Sequence, residues 1–160
     1  MTTIVAVDKK WGIGKKNGLL FSIPEDMKFF RSNTLNKVCV MGYNTLLSFP
    51  ESKPLKNRVN IVLAPETVTR DDVIVTHTLK ELSKVLKNYD TDDVFVIGGA
   101  MFYRTMLSYC SEVYVTKVDA DGGAEVFYPN LDEDKRFTCV SEGETIKTNG
   151  YDIKFTVYKN

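Results

Sequence analysis

Four short stretches of this chain are apolar with almost no interruption: Ile4-Val5-Ala6-Val7, Val38-Cys39-Val40-Met41, Val59-Asn60-Ile61-Val62-Leu63 and Val94-Phe95-Val96-Ile97. A strand with one wet face alternates apolar and polar residues. Unbroken runs instead describe strands covered on both faces, as in a parallel sheet sandwiched between helices. The runs predict strands over Thr3–Val7, Lys37–Met41 (ending on Gly42), Val59–Leu63 and Val94–Ile97, with a shorter one at Val73–Val75.

Helix signals fall between them. Ser22-Ile23-Pro24-Glu25 offers a Ser cap, Glu three residues on and Pro in the first turn. It predicts a helix to about Leu35, with Met27 and Phe30 inward. A short helix near Thr45–Phe49 follows Gly42, and another runs from Ala100 to about Leu107 after Gly98-Gly99. Thr78-Leu79-Lys80-Glu81 is a second capping box, opening a helix to about Lys87. Strands Glu112–Val118, Phe137–Val140 and Tyr151–Tyr158 complete the chain. In the last, Tyr151, Ile153, Phe155 and Val157 alternate with Asp152, Lys154, Thr156 and Tyr158, which predicts an antiparallel strand with one wet face. The fold expected is therefore α/β: a mixed, mostly parallel twisted sheet of about eight strands, antiparallel towards the C-terminus, flanked by about four helices. Neither a repeat nor a linker interrupts residues 1–160, which read as one domain. Residues 8–23 hold Gly12, Gly14 and Gly18 among lysines without periodicity, a long loop of the functional kind.

Composition narrows the function. Twenty-one basic residues balance 21 acidic ones, leaving no field to recruit nucleic acid or anionic lipid. No apolar run approaches the roughly 20 residues of a membrane span. The three cysteines are far apart, no CxxC occurs, and His77 alone builds no metal site. Cys39, inside an apolar run, reads as a small buried hydrophobe. The expectation is a cytoplasmic monomer without a metal.

Individual residues leave the chemistry open. Asp26 reads first as a first-turn carboxylate favoured by the helix dipole, and second as a carboxylate in an apolar pocket, accepting paired hydrogen bonds from an amidine-like ligand edge. Gly98-Gly99 is either a tight turn or a close approach to phosphate at a helix N-terminus. Thr45 beyond Gly42 is a cap or a phosphate donor. Arg58 is a solvated surface group or a bidentate carboxylate clamp.

A resemblance carried by the following residues chooses between these readings. Ala6, Gly12-Ile13-Gly14, Asn17-Gly18, Ile23-Pro24-Glu25-Asp26-Met27, Phe30-Arg31, Thr34, Val40-Met41-Gly42 and Thr45 occur in the order of bacterial dihydrofolate reductases, which this chain closely resembles. So do Pro54-Leu55, Arg58, Asn60-Ile61-Val62-Leu63, Val96-Ile97-Gly98-Gly99-Ala100, Tyr103 and Tyr114-Val115-Thr116. Phe127-Tyr128-Pro129 looks like the family's FFP element.

The resemblance implies NADPH-dependent reduction of 7,8-dihydrofolate by hydride transfer to C6 with protonation at N5. The product, tetrahydrofolate, feeds one-carbon metabolism and thymidylate synthesis. It also implies binding of antifolate-like small molecules. Asp26, Leu19, Phe21 and Thr116 would surround the reacting ring. Asp26 would grip the pterin N3 and 2-amino group with support from Thr116, acting through its charge while a water delivers the proton. Ile4, Val5, Ala6, Met27, Phe30, Phe49, Leu55, Ile97 and Tyr103 would line the substrate pocket, and Arg58 would bind the glutamate α-carboxylate. The dinucleotide would lie along Ala6, Ile13, Gly14, Asn17, Gly18 and Leu19, then Gly42, Tyr43, Asn44 and Thr45, Leu63, Ala64 and His77. Its remaining contacts would be Ile97, Gly98, Gly99, Ala100, Met101, Phe102 and Thr105. The loop from Lys9 to Leu20 resembles the family's mobile lid.

Three positions depart from the family pattern. Phe21 stands where Trp is usual, Tyr43 where Arg is common, and Ala64 where a hydroxyl residue is frequent. The last two usually help hold the 2′-phosphate, a task that would pass to His77 or a lysine. The alternatives are a non-catalytic folate- or nucleotide-binding relative and a related pyrimidine reductase of riboflavin synthesis.

Overall fold

The computed structural model describes residues 1–16 and 18–160; the expectation for Asn17 lies outside them. In chain order the strands are β1 (Thr2–Val7), β2 (Gly12–Lys15), β3 (Gly18–Leu19), β4 (Val38–Gly42), β5 (Val59–Leu63) and β6 (Ile74–Thr76). They continue with β7 (Val94–Gly98), β8 (Glu112–Val118), β9 (Val126–Phe127), β10 (Thr138–Glu142), β11 (Ile146–Thr148) and β12 (Tyr151–Lys159). The helices are α1 (Pro24–Thr34), α2 (Tyr43–Ser48), α3 (Leu79–Leu86) and α4 (Ala100–Met106).

The main sheet runs β10-β12-β8-β1-β7-β4-β5-β6, with β11 also on β12. From β8 to β6 every pairing is parallel; β12 is antiparallel to β8, β10 and β11. The expected mixed α/β architecture is what forms. The apolar runs explain why. On β4, Val38 and Val40 enter one core cluster while Cys39 and Met41 enter another, on the opposite face. Both faces are buried, so alternation has no role there.

Four local expectations fail for identifiable reasons. First, the 8–23 loop contains β2 and β3, and β2 pairs with β9 to form a small separate sheet. Backbone pairing through glycines leaves no side-chain period to read. Second, Ser22 does not cap α1: Ile23 occupies the cap position, without a side-chain cap bond. Third, α1 turns Phe29, not Met27, towards the sheet. Phe29 packs edge-on against Phe155 at 4.4 Å, and Met27 is 59% exposed. Fourth, the face of β12 expected to be wet carries Thr156 and Tyr158, both buried. Tyr158 packs edge-on to Trp11 and donates to Asp132 at 2.6 Å. The capping box at α3 forms with a shift. Thr78 accepts from the Glu81 N–H, while the Glu81 carboxylate accepts from the His77 N–H. Among the described residues no helix is long and apolar enough to cross a membrane.

Candidate active site

β1 and β7 are neighbours in the sheet, yet they pair only through Thr2 with Phe95 and Thr3 with Val96. Beyond these rungs β1 stays on β8 as far as Val7, and β7 stays on β4 as far as Gly98. Opposite β4, the register passes from Val96 to Gly98, leaving Ile97 as a bulge that kinks the strand away. A wedge therefore opens at the carboxyl ends of these parallel strands, where α/β sheets bind their ligands. Tyr103 on α4 reaches into it, its hydroxyl donating to the Ile4 carbonyl at 2.8 Å. Burial holds the Tyr103 phenol well above its ordinary range, so it remains a donor.

Asp26, in the first turn of α1, faces the same region beside Thr116, which sits opposite Ala6 in the β8–β1 register. Burial pushes the Asp26 carboxyl above the usual carboxylate range, outweighing the opposing effect of the Thr116 hydroxyl. The sequence left that contest undecided. Neighbouring acids are occupied elsewhere. Glu25 accepts from Thr148, and buried Asp8 accepts from the N–H groups of Lys10, Gly12 and Gly122.

At the other end of α1, the Arg58 guanidinium donates to Thr34 at 3.2 Å and the Lys56 carbonyl at 2.8 Å, and lies 6.0 Å from the Phe30 ring centre. Among the described residues no carboxylate pairs with it. Half-buried Phe49, Leu55 and Ile97 pack on the cluster that contains Cys39 and Met41. Cys39 touches the Thr34 side, and burial pushes its thiol up to about 12, which keeps it an inert hydrophobe. Ile4 and Val5 are buried and Ala6 half-buried.

A second group gathers at the ends of β4 and β7. Helices α2 and α4 start at Gly42 and Gly99, neither with a side-chain cap, so their first-turn N–H groups stay available. Gly98 has φ 140°, a region L side chains rarely adopt, and a Cβ there would meet Thr45 Oγ1 at 3.0 Å. Tyr43 begins α2, Asn44 is exposed beside it, and half-buried Leu63 ends β5 before buried Ala64. His77 Nδ1 lies 3.2 Å from the Ala64 carbonyl and 3.0 Å from that of Pro65. Two acceptors require Nδ1 to donate, which leaves Nε2 facing elsewhere. Ala100 is half-buried and Phe102 buried, whereas Met101 is 84% exposed. Thr105 is exposed and its hydroxyl bonds the Met101 carbonyl, within its own helix.

The segment expected to act as a lid is tied down by residues that carried no local signal. The Lys16 N–H donates to Glu125 at 2.7 Å, and the Glu125 N–H donates to the Gly14 carbonyl at 2.9 Å. Half-buried Ile13 and buried Gly14 lie in β2, Gly18 and Leu19 in β3, with Leu19 83% exposed. Phe21, just beyond this segment, packs edge-on to Tyr151 at 4.9 Å. Removing the Glu125 acceptor by Glu125→Ala should speed hydrogen exchange of the Lys16 N–H roughly threefold, the scale of one exposed hydrogen bond. An unchanged exchange rate would mean that Glu125 does not hold this segment. A separate hollow of about 450 Å³ opens beside Trp11 and Lys117, but its Lys117–Asp132 and Lys154–Glu142 charges pair with each other.

The family model for dihydrofolate reductase matches residues 1–160. Dihydrofolate reductase of Schistosoma mansoni is 34% identical over 176 residues, covering 99% of this chain and 95% of that one. Type 9 dihydrofolate reductase of Escherichia coli is 31% identical over 167 residues, covering 100% and 93%. The Bacillus subtilis enzyme is 30% identical over 159 residues, covering 98% and 92%. The chain belongs to the dihydrofolate reductase family.

Proposed function

We propose that this protein reduces 7,8-dihydrofolate to tetrahydrofolate with NADPH, binding the pterin at Asp26 and the glutamate carboxylate at Arg58. The observation that carries this reading is the spacing of the two groups along α1. Asp26 lies in its first turn and Thr34, which holds Arg58, at its last residue. Eight residues of helix separate them by about 12 Å. A carboxylate at one end and an unpaired guanidinium at the other, with apolar side chains between, suit an elongated ligand. That ligand has a donor edge, an aromatic middle and a terminal carboxylate.

The family generally uses a nicotinamide cofactor, which supplies the hydride when bound. The cradle at Gly42, Gly98 and Gly99 fits its diphosphate, because uncapped N–H groups face it and a Cβ at Gly98 would fill it. The NADPH preference rests on His77 in its imidazolium form, with Nδ1 donating to the two carbonyls and a second proton on Nε2 to donate to a 2′-phosphate in place of a cation at Tyr43. Asp26 holds the pterin ring through its charge and directs proton gain to N5 by way of water, while the lid keeps bulk water out. A reducing cytoplasm suits three free cysteines, two of them buried, and the protein acts as a monomer. The decisive assay compares NADPH with NADH on dihydrofolate. Oxidation of NADPH only in the presence of dihydrofolate is expected. No turnover with either cofactor would sink the proposal, and a preference for NADH would sink the role of His77.

A further inference from the structure

We infer that the hairpin turn joining β11 to β12 anchors the first turn of α1 from outside, making Thr148 and Asn149 positioning residues for Asp26. The inference rests on the reading of Asp26 as the group that grips substrate.

A helix normally secures its own start through a side-chain cap. α1 does not: Ile23 is its cap residue and offers no acceptor. Ser22 and Glu25, the two residues suited to a capping box, are both engaged by a segment more than a hundred positions away. Thr148 donates its hydroxyl to Glu25, and Asn149 Nδ2 donates to the Ser22 carbonyl at 2.9 Å. Tyr151 meets Phe21 edge-on, with ring centres 4.9 Å apart. Four consecutive hairpin positions thus supply three contacts to residues 21–25, immediately before Asp26.

Turn chemistry explains how they reach. Thr148 pairs with Tyr151, and Asn149 and Gly150 between them have φ 50° and 83°. This is the left-handed pair of a tight two-residue hairpin, for which Asn-Gly is the preferred sequence. The turn projects from β12, and β12 pairs Phe155 with Thr116 on β8. Thr116 is the residue beside Asp26. Asp26 is therefore held between two parts of one frame, the hydroxyl of β8 and the hairpin of β12. The groups facing its carboxyl are the Thr116 hydroxyl and, on α4, the Tyr103 phenol. The nearest charge on its own helix is Glu25, which the hairpin engages.

The test uses the full chain carrying Thr148→Val and Asn149→Gly. Valine keeps the shape of threonine, and glycine accepts the left-handed φ while removing the amide. Two readouts separate positioning from general damage. Titration of the Asp26 carboxyl, followed by 13C NMR, should move down towards the ordinary carboxylate range as solvent reaches it. The KM for dihydrofolate should rise about tenfold while the KM for the cofactor stays within about twofold, the scale expected for losing one or two side-chain hydrogen bonds. Thr148→Ser with Asn149 retained should behave as wild type. A wild-type titration in the folded double variant overturns the anchor, as does a parallel rise in both KM values. A shifted titration with unchanged KM upholds the anchor and overturns instead the grip of Asp26 on substrate. Should the double variant not fold, Asn149→Gly alone carries the same test.

Discussion

Asp26→Asn is expected to lower kcat/KM for dihydrofolate by about 10²- to 10³-fold, the range seen when one preorganised electrostatic group is removed from a reacting centre. The amide keeps the shape but presents donors where the carboxylate only accepts, so one hydrogen bond to the ligand edge becomes a clash of donors. The same substitution should stabilise the fold at neutral pH. Burial raises the Asp26 carboxyl above its ordinary range, so the charged form is less welcome in the folded chain than in the unfolded one. Below the ordinary carboxylate range Asp26 is neutral in both states and no stability is lost. As pH rises from there through the raised folded value, the destabilisation grows, then stays constant. Thermal melts of wild type and Asp26→Asn should therefore converge in acid and separate by neutral pH, the variant melting higher. Retention of turnover within a few-fold would remove Asp26 from its assigned role. Parallel melting curves would mean that its carboxylate carries no burial penalty.

Gly12→Ala should have the next largest effect, acting on the proposed lid rather than the pocket. A Cβ at Gly12 would lie 2.4 Å from the Ala124 Cβ and 2.8 and 2.9 Å from the Asp8 carboxylate oxygens. Neither neighbour can swing aside. The Ala124 Cβ is fixed to its backbone, and Asp8 is held by three N–H donors. β2 must instead part from β9, and the Glu125 contacts to Lys16 and Gly14 go with it. Misplacement of a closing element by about 1 Å costs on the order of 10²-fold in rate. The hydride-transfer rate in a single turnover should fall by that order, while dihydrofolate binding to the cofactor-free protein stays within about threefold of wild type. A normal rate would show that closure does not depend on this seam.

How far the fold could be read from sequence depended on whether side chains or backbone carry the information. Val38 to Met41 and Val94 to Ile97 announce buried parallel strands because every residue must be apolar when both faces are covered. The β2–β9 seam announces nothing, because Gly12 and Gly14 contribute N–H and C=O groups that any residue possesses. Tyr158 misled because a phenol at a polar position of the alternation found both a ring to pack on and a carboxylate to bond. At the site, the order of motifs singled out Asp26, Arg58 and Gly98-Gly99. Glu125, Thr148 and Asn149 stayed hidden: each bonds across more than a hundred residues, and only the Asn149-Gly150 turn had a local signature. The direction of the Asp26 shift also needed the folded chain, since burial and hydrogen bonding oppose each other there.

The two-rung pairing of β1 with β7 has an evolutionary consequence. From Ile4 onward, β1 has no strand partner on that side among the described residues, so beyond the Ile4 carbonyl, which Tyr103 engages, the peptide groups bordering the wedge can meet a ligand. Peptide groups are common to all residues except proline at its nitrogen, so no point substitution other than to proline erases them. Side chains such as Met27, Phe49 or Leu55 can drift and reshape the fit of an inhibitor. An inhibitor that anchors on the main chain of β1 and β7 would be harder to escape, since losing that contact requires the strands themselves to move.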